Sequence, residues 1–230
     1  MSLPPPFELV TLRESGDAFA EAILLAPTRG AGTLVRVGRF DRLDFALALE
    51  PGEALAQARV AFPLCMGALA SALAAHSPPQ RPLAIRWPDA FLLDTVIHGG
   101  ARLAAPPGCG EDEVPPWLVF GAEIALDKAG GADVPLAMSL AEAGADEIDP
   151  LRLLGDFCAH LLSALDARAH ESLDAAAQPF LSRLDLGKAG LTRRLADTGD
   201  VLIARPGGEE RLALRDAFDP ARWRAEMGES

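Results

Sequence analysis

The chain has 230 residues, with 33 acidic against 21 basic side chains and a formal net charge of −12. That length supports one sizeable core and a small appendage. Such acidity speaks against general nucleic-acid binding, because neutralising phosphates takes clustered Lys and Arg. Its apolar windows are broken by Arg, Asp or Pro before the roughly 20 residues of a membrane span, and Met1–Pro6 has no basic stretch leading into an apolar one. No membrane span and no secretory signal are therefore expected, and the cytoplasm is the compartment predicted.

In chain order, Phe7–Leu12 alternates like a first strand. Ser15 or Asp17 can cap a helix through AFAEAILLA, which Pro27 and Gly30-Ala31-Gly32 should end. Thr33–Val37 and Asp44–Leu49 read as two strands, and the connection Gly38–Asp44 is short enough for a hairpin. Glu53–His76 is a helical stretch that Pro63 should kink or split and Pro78-Pro79 should end. Leu83–Trp87 and Ala90–Leu93 look like short strands broken at Pro88, and His98-Gly99-Gly100 reads as a turn into Ala101–Ala104. After the loop Pro106–Pro116, Trp117–Leu126 is the most strand-like run and is expected at the centre of a sheet.

Ser139 and Glu142 have the spacing of a capping box. Pro150 opens an amphipathic helix whose apolar residues, from Leu151 to Leu165, recur at spacings of three and four. A further helix covers Ser172–Leu184, and Val201–Ala204 and Arg211–Leu214 flank the hairpin signal Pro206-Gly207-Gly208. The fold class expected is α+β, a mixed β-sheet backed by helices over residues 1–188, with a small β-rich module over 189–230.

The cysteines Cys65, Cys109 and Cys158 are odd in number and widely spaced, with no CxxC pair, so neither a disulfide framework nor a metal site is indicated. Cys65 and Cys158 belong to apolar helical stretches, whereas Cys109 falls in a Pro/Gly loop. Lys128 and Lys188 are the two lysines, so chemistry that needs a lysine has two candidates.

Ile85-Arg86-Trp87-Pro88-Asp89, followed by Gly99-Gly100, resembles the signature of biotin protein ligases: a basic residue, Trp-Pro-Asn-Asp, a strand, then Lys-x-Ala-Gly. Leu118–Ile124 resembles the next family strand, which ends Gly-x-Gly-x-Asn. Ser139–Gly144, the helix after Pro150 and Phe180–Arg183 follow in the family's order, over roughly residues 8–186. The resemblance implies the biotin/lipoate ligase fold, similar to a class II synthetase domain, in a bacterial branch of short chains. It further implies a carboxylate cofactor such as biotin or lipoate, ATP, an acyl-adenylate and an acceptor protein. In that family an Arg/Gly-rich loop wraps the adenylate, and a lysine after Trp-Pro-Asn-Asp neutralises charge developing in the transition state.

This sequence departs from the pattern. Ile97 takes the lysine position, only Gly-Arg-Phe-Asp-Arg-Leu stands where the Arg/Gly loop belongs, Asp89 replaces the motif Asn, and Glu123 replaces a glycine. Ligation by the usual mechanism is therefore expected to be lost, and no catalytic residue is assigned.

The candidate ligand-binding residues are Arg39, Arg42, Arg86, Trp87, Asp89, His98, Gly99, Gly100, Gly121 and Glu123. Each has a bland alternative. Trp87 can be core, the arginines can be solvated surface, His98 a satisfied turn residue and the glycines an ordinary tight turn. Three functional readings stay open: a ligase-like enzyme acting on a carboxylate and ATP, a non-catalytic member holding a small molecule or protein in the inherited pocket, and an acyltransferase using Cys109. A homodimer is compatible with each, and no nucleic-acid or membrane partner is expected.

Overall fold

The computed structural model describes residues 3–127, 139–145, 148–187, 191–215, 223–224 and 227. Lys128 and Lys188 lie outside the described residues. The first strand, β1 (Glu8–Leu12), leads into helix α1 (Ala18–Arg29), which Asp17 caps by accepting a hydrogen bond from the Ala20 N–H at 3.0 Å. Pro27 does not end this helix. It lies inside the last turn, and the chain leaves the helix at Gly30 (φ 75°). The crossover through α1 brings β2 (Thr33–Val37) parallel to β1.

β3 spans Arg42–Leu49, two residues earlier than the alternation predicts, because Leu43 is buried and pairs with Ile124. The connection from β2 thus shrinks to Gly38–Asp41. The long helical stretch is broken ahead of Pro63, into α2 (Leu55–Ala58) and α3 (Ala61–His76). Pro63 sits in the first turn of α3, where a missing N–H leaves no intrahelical bond unmade. Leu55–His76 is long and apolar enough to cross a membrane by length and composition, but 72% of its most apolar window is buried inside the protein. Packing against the core accounts for its apolarity.

β4 (Leu83–Arg86) and β5 (Ala90–Leu93) flank the Trp-Pro-Asp segment, and β6 covers Val96–Ala104. The expected turn at His98-Gly99-Gly100 is therefore strand. The reversal comes earlier, at Asp94 (φ 52°) and Thr95 (φ 72°), a pair of left-handed residues that matches the twist of the hairpin. A bulge in β6 sets Phe91 opposite Gly99 and Leu92 opposite Ile97, so that His98 is the extra residue. β7 (Leu118–Ala125) is central, in the order β1-β2-β3-β7-β6-β5-β4.

Helices α4 (Pro150–His170) and α5 (Leu173–Leu181) are followed by β8 (Leu184–Asp185), a short strand not read from the sequence that adds parallel to β4 as the eighth strand. Ser139 and Glu142 exchange the bonds of a capping box, at 2.9 and 3.2 Å, but on a turn and not on a helix. A second, three-stranded sheet comprises β9 (Arg193–Leu195), β10 (Val201–Arg205) and β11 (Gly208–Leu212). Its Leu195, Val201 and Ile203, with Leu214, join the main core.

One face of the large sheet carries Leu34, Phe45, Leu47, Phe91, Phe120 and Ile124 against α3, α4 and α5. Phe157 of α4 packs between Phe45 and Phe120, with ring centroids 5.0 and 6.0 Å away. Cys65 and Cys158 are buried there; burial pushes the Cys65 thiol far up and the Cys158 thiol up to about 12, so both are apolar fillers. Helices α3 and α5 meet at Gly67, where a Cβ would stand 2.9 Å from the Phe180 backbone nitrogen. Because backbone cannot give way as a side chain can, Gly67→Leu should lower unfolding free energy by about 2–3 kcal/mol, read from urea denaturation midpoints at unchanged m.

Candidate functional site

The opposite face of the sheet is not uniformly covered. Helix α1 shields its β1–β2–β3 side through Ala18, Ala22 and Ala26 packed on Val35, Ala46 and Val119. Beyond that helix, strand register sets a row of residues side by side: Asp44 opposite Glu123, Glu123 opposite Gly100, Gly100 opposite Ala90, and Ala90 opposite Arg86. The neighbouring row is Ala46, Gly121 and Arg102. Alternation along each strand points these residues to the same face, so the site is a consequence of pairing and not of any local motif.

Glu123 is 5% exposed and is surrounded by arginines. Arg224 lies 3.0 Å from its Oε1, Arg102 3.5 Å from the same oxygen, and Arg42 3.8 Å from Oε2. Arg102 also reaches Asp17 at 3.7 Å and stacks its guanidinium 4.0 Å from the centroid of the Phe19 ring. Burial lowers the Arg102 pKa, with the Arg224 charge acting in the same direction. Asp44 behaves oppositely to an ordinary carboxylate: burial, helped by the Asp17 charge, pushes it up to about 6 against the pull of Arg102, Arg42 and Arg224.

The three glycines expected near a ligand are each approached by protein. A Cβ at Gly99 would lie 2.1 Å from the Glu123 carbonyl oxygen, so that glycine serves strand packing. A Cβ at Gly121 would lie 2.4 Å from the Phe19 ring of α1. At Gly100 the neighbour is the indole of Trp223, whose ring carbons stand 2.5–2.6 Å from a Cβ. Trp223 is fully buried, donates from Nε1 to the Ala101 carbonyl oxygen at 3.3 Å, and clusters with Ala90, Leu92 and Ile97.

The remaining predicted residues separate. Arg39 is held in a bidentate pair by Asp41, at 2.8 and 2.6 Å, and that bond holds the Asp41 carboxyl below the usual range. Trp87 packs on the α3–α5 side, edge-on to Phe180 at 6.3 Å. Asp89 is buried, and its carbonyl accepts the Ala101 N–H at 2.8 Å. His98 is fully buried at the bulge. The structure thus gathers Arg42, Gly100, Gly121 and Glu123, with Arg86 in the same row, and leaves Arg39 and Trp87 elsewhere. It adds Asp44, Arg102, Trp223 and Arg224, which sequence reasoning missed. Period-two alternation from Gly100 could have found Arg102, and alternation from Ala46 could have found Asp44. No local pattern ties the C-terminal residues to a strand more than 120 positions earlier. Among the described residues, no three His, Cys, Asp or Glu side chains form a metal cluster.

Comparison with known proteins bears on this geometry. Residues 3–182 match the model of the biotin/lipoate A/B protein ligase family. The chain belongs to that family. Among solved structures, a biotin protein ligase-like protein of unknown function from Silicibacter sp. TM1040 superposes with a TM-score of 0.78 at 22% identity, over 94% of this chain and 98% of that one. The biotin protein ligase of Aquifex aeolicus in complex with biotin and ATP gives 0.64 at 17%, over 89% and 94%. The Leishmania major enzyme in complex with biotinyl-5-AMP gives 0.57 at 16%, over 91% and 99%. No curated protein matches. At these identities the solved structures speak for the fold, which is the mixed-sheet ligase architecture expected, with a small C-terminal sheet added.

Within this ligase-family fold the raised pKa of Asp44 has a measurable effect. The folded protein binds this proton more tightly than the unfolded chain, whose Asp titrates near 3.8. Asp44 therefore lowers stability progressively as pH rises from about 4 to about 6, and the loss is constant above that. Asp44→Asn should be more stable than the parent at pH 8, by on the order of 1–2 kcal/mol after allowance for solvent screening, and the difference should vanish below about pH 4. Urea titrations at the two pH values measure it.

Proposed function

We propose that this protein is a non-catalytic member of the biotin/lipoate ligase family that holds a small molecule on the sheet face beside Asp44, Arg102 and Glu123. The observation that carries the reading is Ile97. The family resemblance puts a lysine at this position, and here the residue is 4% exposed and clustered with Ala90, Leu92 and Trp223. An apolar contact of that kind offers nothing to charge developing on an adenylate, which fixed donors normally stabilise by several kcal/mol. The shortened 38–41 connection supports the same reading, since Arg39 is engaged by Asp41 within it. Asp44 and Glu123 make the floor unfavourable for a carboxylate or phosphate unless the arginines change partners.

The ligase reading, with ATP and a biotin- or lipoate-type carboxylate as ligands and an acceptor protein as partner, draws its support from the Aquifex and Leishmania relatives. Those proteins were solved with biotin and ATP and with biotinyl-5-AMP. The acyltransferase reading is disfavoured by Cys109. Its Sγ faces the carbonyl oxygens of Gly110 and Glu113, at 3.7 and 3.9 Å, and packs near Leu118. That is about 17 Å along β7 from Glu123 at the usual strand rise. Carbonyl oxygens do not activate a thiol.

ATP–pyrophosphate exchange separates the readings. With biotin, lipoate or octanoate present, the full chain should exchange no faster than a blank without protein. Exchange that depends on one of the acids would overturn the non-catalytic assignment.

A further inference from the structure

The charges gathered beside α1 on the sheet face cancel, but the hydrogen-bonding capacity there is unevenly spent. Asp17, Asp44 and Glu123 stand against Arg42, Arg102 and Arg224. Each arginine makes an ion pair with Glu123, and Arg102 makes one with Asp17 as well. Asp44 has no such contact: its side chain makes no hydrogen bond and no ion pair with any other described residue. Strand pairing sets it beside Glu123, half-buried and still in reach of solvent. Polar groups drawn out of bulk water are normally hydrogen-bonded, whether to protein, to water or to a ligand.

Arg102 is the matching donor. Its guanidinium is held 4.0 Å from the centroid of the Phe19 ring, and 24% of its side chain is exposed. Its nitrogens stand 3.5 Å from Glu123 and 3.7 Å from Asp17, beyond the roughly 2.7–3.2 Å of an N–H···O hydrogen bond. Asp44 lies on β3 and Arg102 on β6 with β7 between them, about 10 Å across at the usual strand spacing. The arginine covers part of that span by reaching toward Glu123 on β7. An acceptor and a donor fork thus meet solvent on either side of one strand, where the surrounding charges give an ion no net advantage.

We propose that Asp44 and Arg102 are the recognition pair of this site and that its ligand carries an uncharged primary carboxamide. The amide N–H donates to the Asp44 carboxylate, and the amide carbonyl oxygen accepts from the Arg102 guanidinium. The inference rests on the reading that this sheet face holds a small molecule, and it names the group that is recognised. A carboxylate in the same place would meet Asp44 with like charge, and a cation would meet Arg102 in the same way. A neutral amide satisfies both groups, whereas a ligand lacking either half leaves a desolvated polar group unsatisfied. The ligand class thus differs from the carboxylate that the family resemblance implies.

Benzamide, benzoate and benzamidine carry one ring with a neutral, an anionic and a cationic head group, and they are the probes. In amide chemical-shift titrations of the full chain at pH 8, benzamide should shift the amides of Asp44 and Arg102 and bind about tenfold tighter than either ion. Asp44→Ala should keep its Tm and bring benzoate ahead of benzamide. Between pH 8 and pH 5 the parent's affinity for benzamide should fall several-fold as Asp44 takes up a proton in the field of Asp17, Arg42, Arg102, Glu123 and Arg224. Asp44→Asn should show no such fall. The ranking and the pH response of the parent stand whether or not the alanine variant folds. Tighter binding of benzoate or benzamidine by the parent overturns the proposal. So does the absence of any shift at Asp44 and Arg102 with millimolar benzamide, which would leave water as their partner. A chain that exchanges pyrophosphate yet ranks the probes in this order loses the non-catalytic assignment and keeps this one, and an inert chain blind to benzamide does the reverse.

Discussion

A carboxylate in the middle of an eight-stranded sheet has to be neutralised where it stands, and the site is arranged around that requirement. Glu123 belongs to β7, the strand with the most extensive pairing on both sides, and its neighbours Asp44 and Gly100 are set by register. Leaving such a group buried without countercharge costs several kcal/mol. The arginines that answer it come from β3, β6 and the C-terminal segment, which lie far apart along the chain. One acidic residue therefore ties together the central strands and the end of the polypeptide. Asp44 next to it then meets a crowded field, in which burial and Asp17 outweigh the arginines and raise its proton affinity.

Glycine makes this arrangement sterically feasible. At Gly121 the missing side chain admits Phe19 and so fixes how closely α1 approaches the sheet, and Arg102, opposite Gly121 on β6, stacks on that ring. At Gly100 the missing side chain admits Trp223. The same residue type that lets a ligand approach backbone in a binding protein here admits the protein's own aromatic rings. Asp44, Glu123, Arg42 and Arg102 form a charged cluster on the same face of the sheet.

The ligase architecture survives the departures from the signature because the parts that fold the chain lie on the other face. Phe45, Phe120 and Phe157, with the apolar sides of α3, α4 and α5, form a close-packed core that makes no use of Ile97, Glu123 or the 38–41 connection. Substitutions on the site face change charge and access while leaving that packing intact, so fold and chemistry can diverge.

Much of the architecture was determined by the sequence alone, because hydrophobic periodicity and capping residues act locally. The strand at Leu118–Ala125, the amphipathic helix from Pro150, the cap at Asp17 and the C-terminal hairpin all follow from neighbouring residues. The order of Trp-Pro-Asp, Gly-Gly and the later segments was likewise enough to place the chain in its family. Local reading went astray at Gly99-Gly100, where two glycines resemble a turn yet lie in a strand, since Asp94 and Thr95 already make the reversal. Only the tertiary structure decided which residues share the site. Strand register brings Asp44, Glu123 and Gly100 into one row, and Trp223 reaches that row from 123 residues beyond Gly100, a proximity with no periodicity to announce it. Contacts of that range depend on how the whole chain packs, and for that reason local patterning carries no sign of the packing of Trp223 on Gly100.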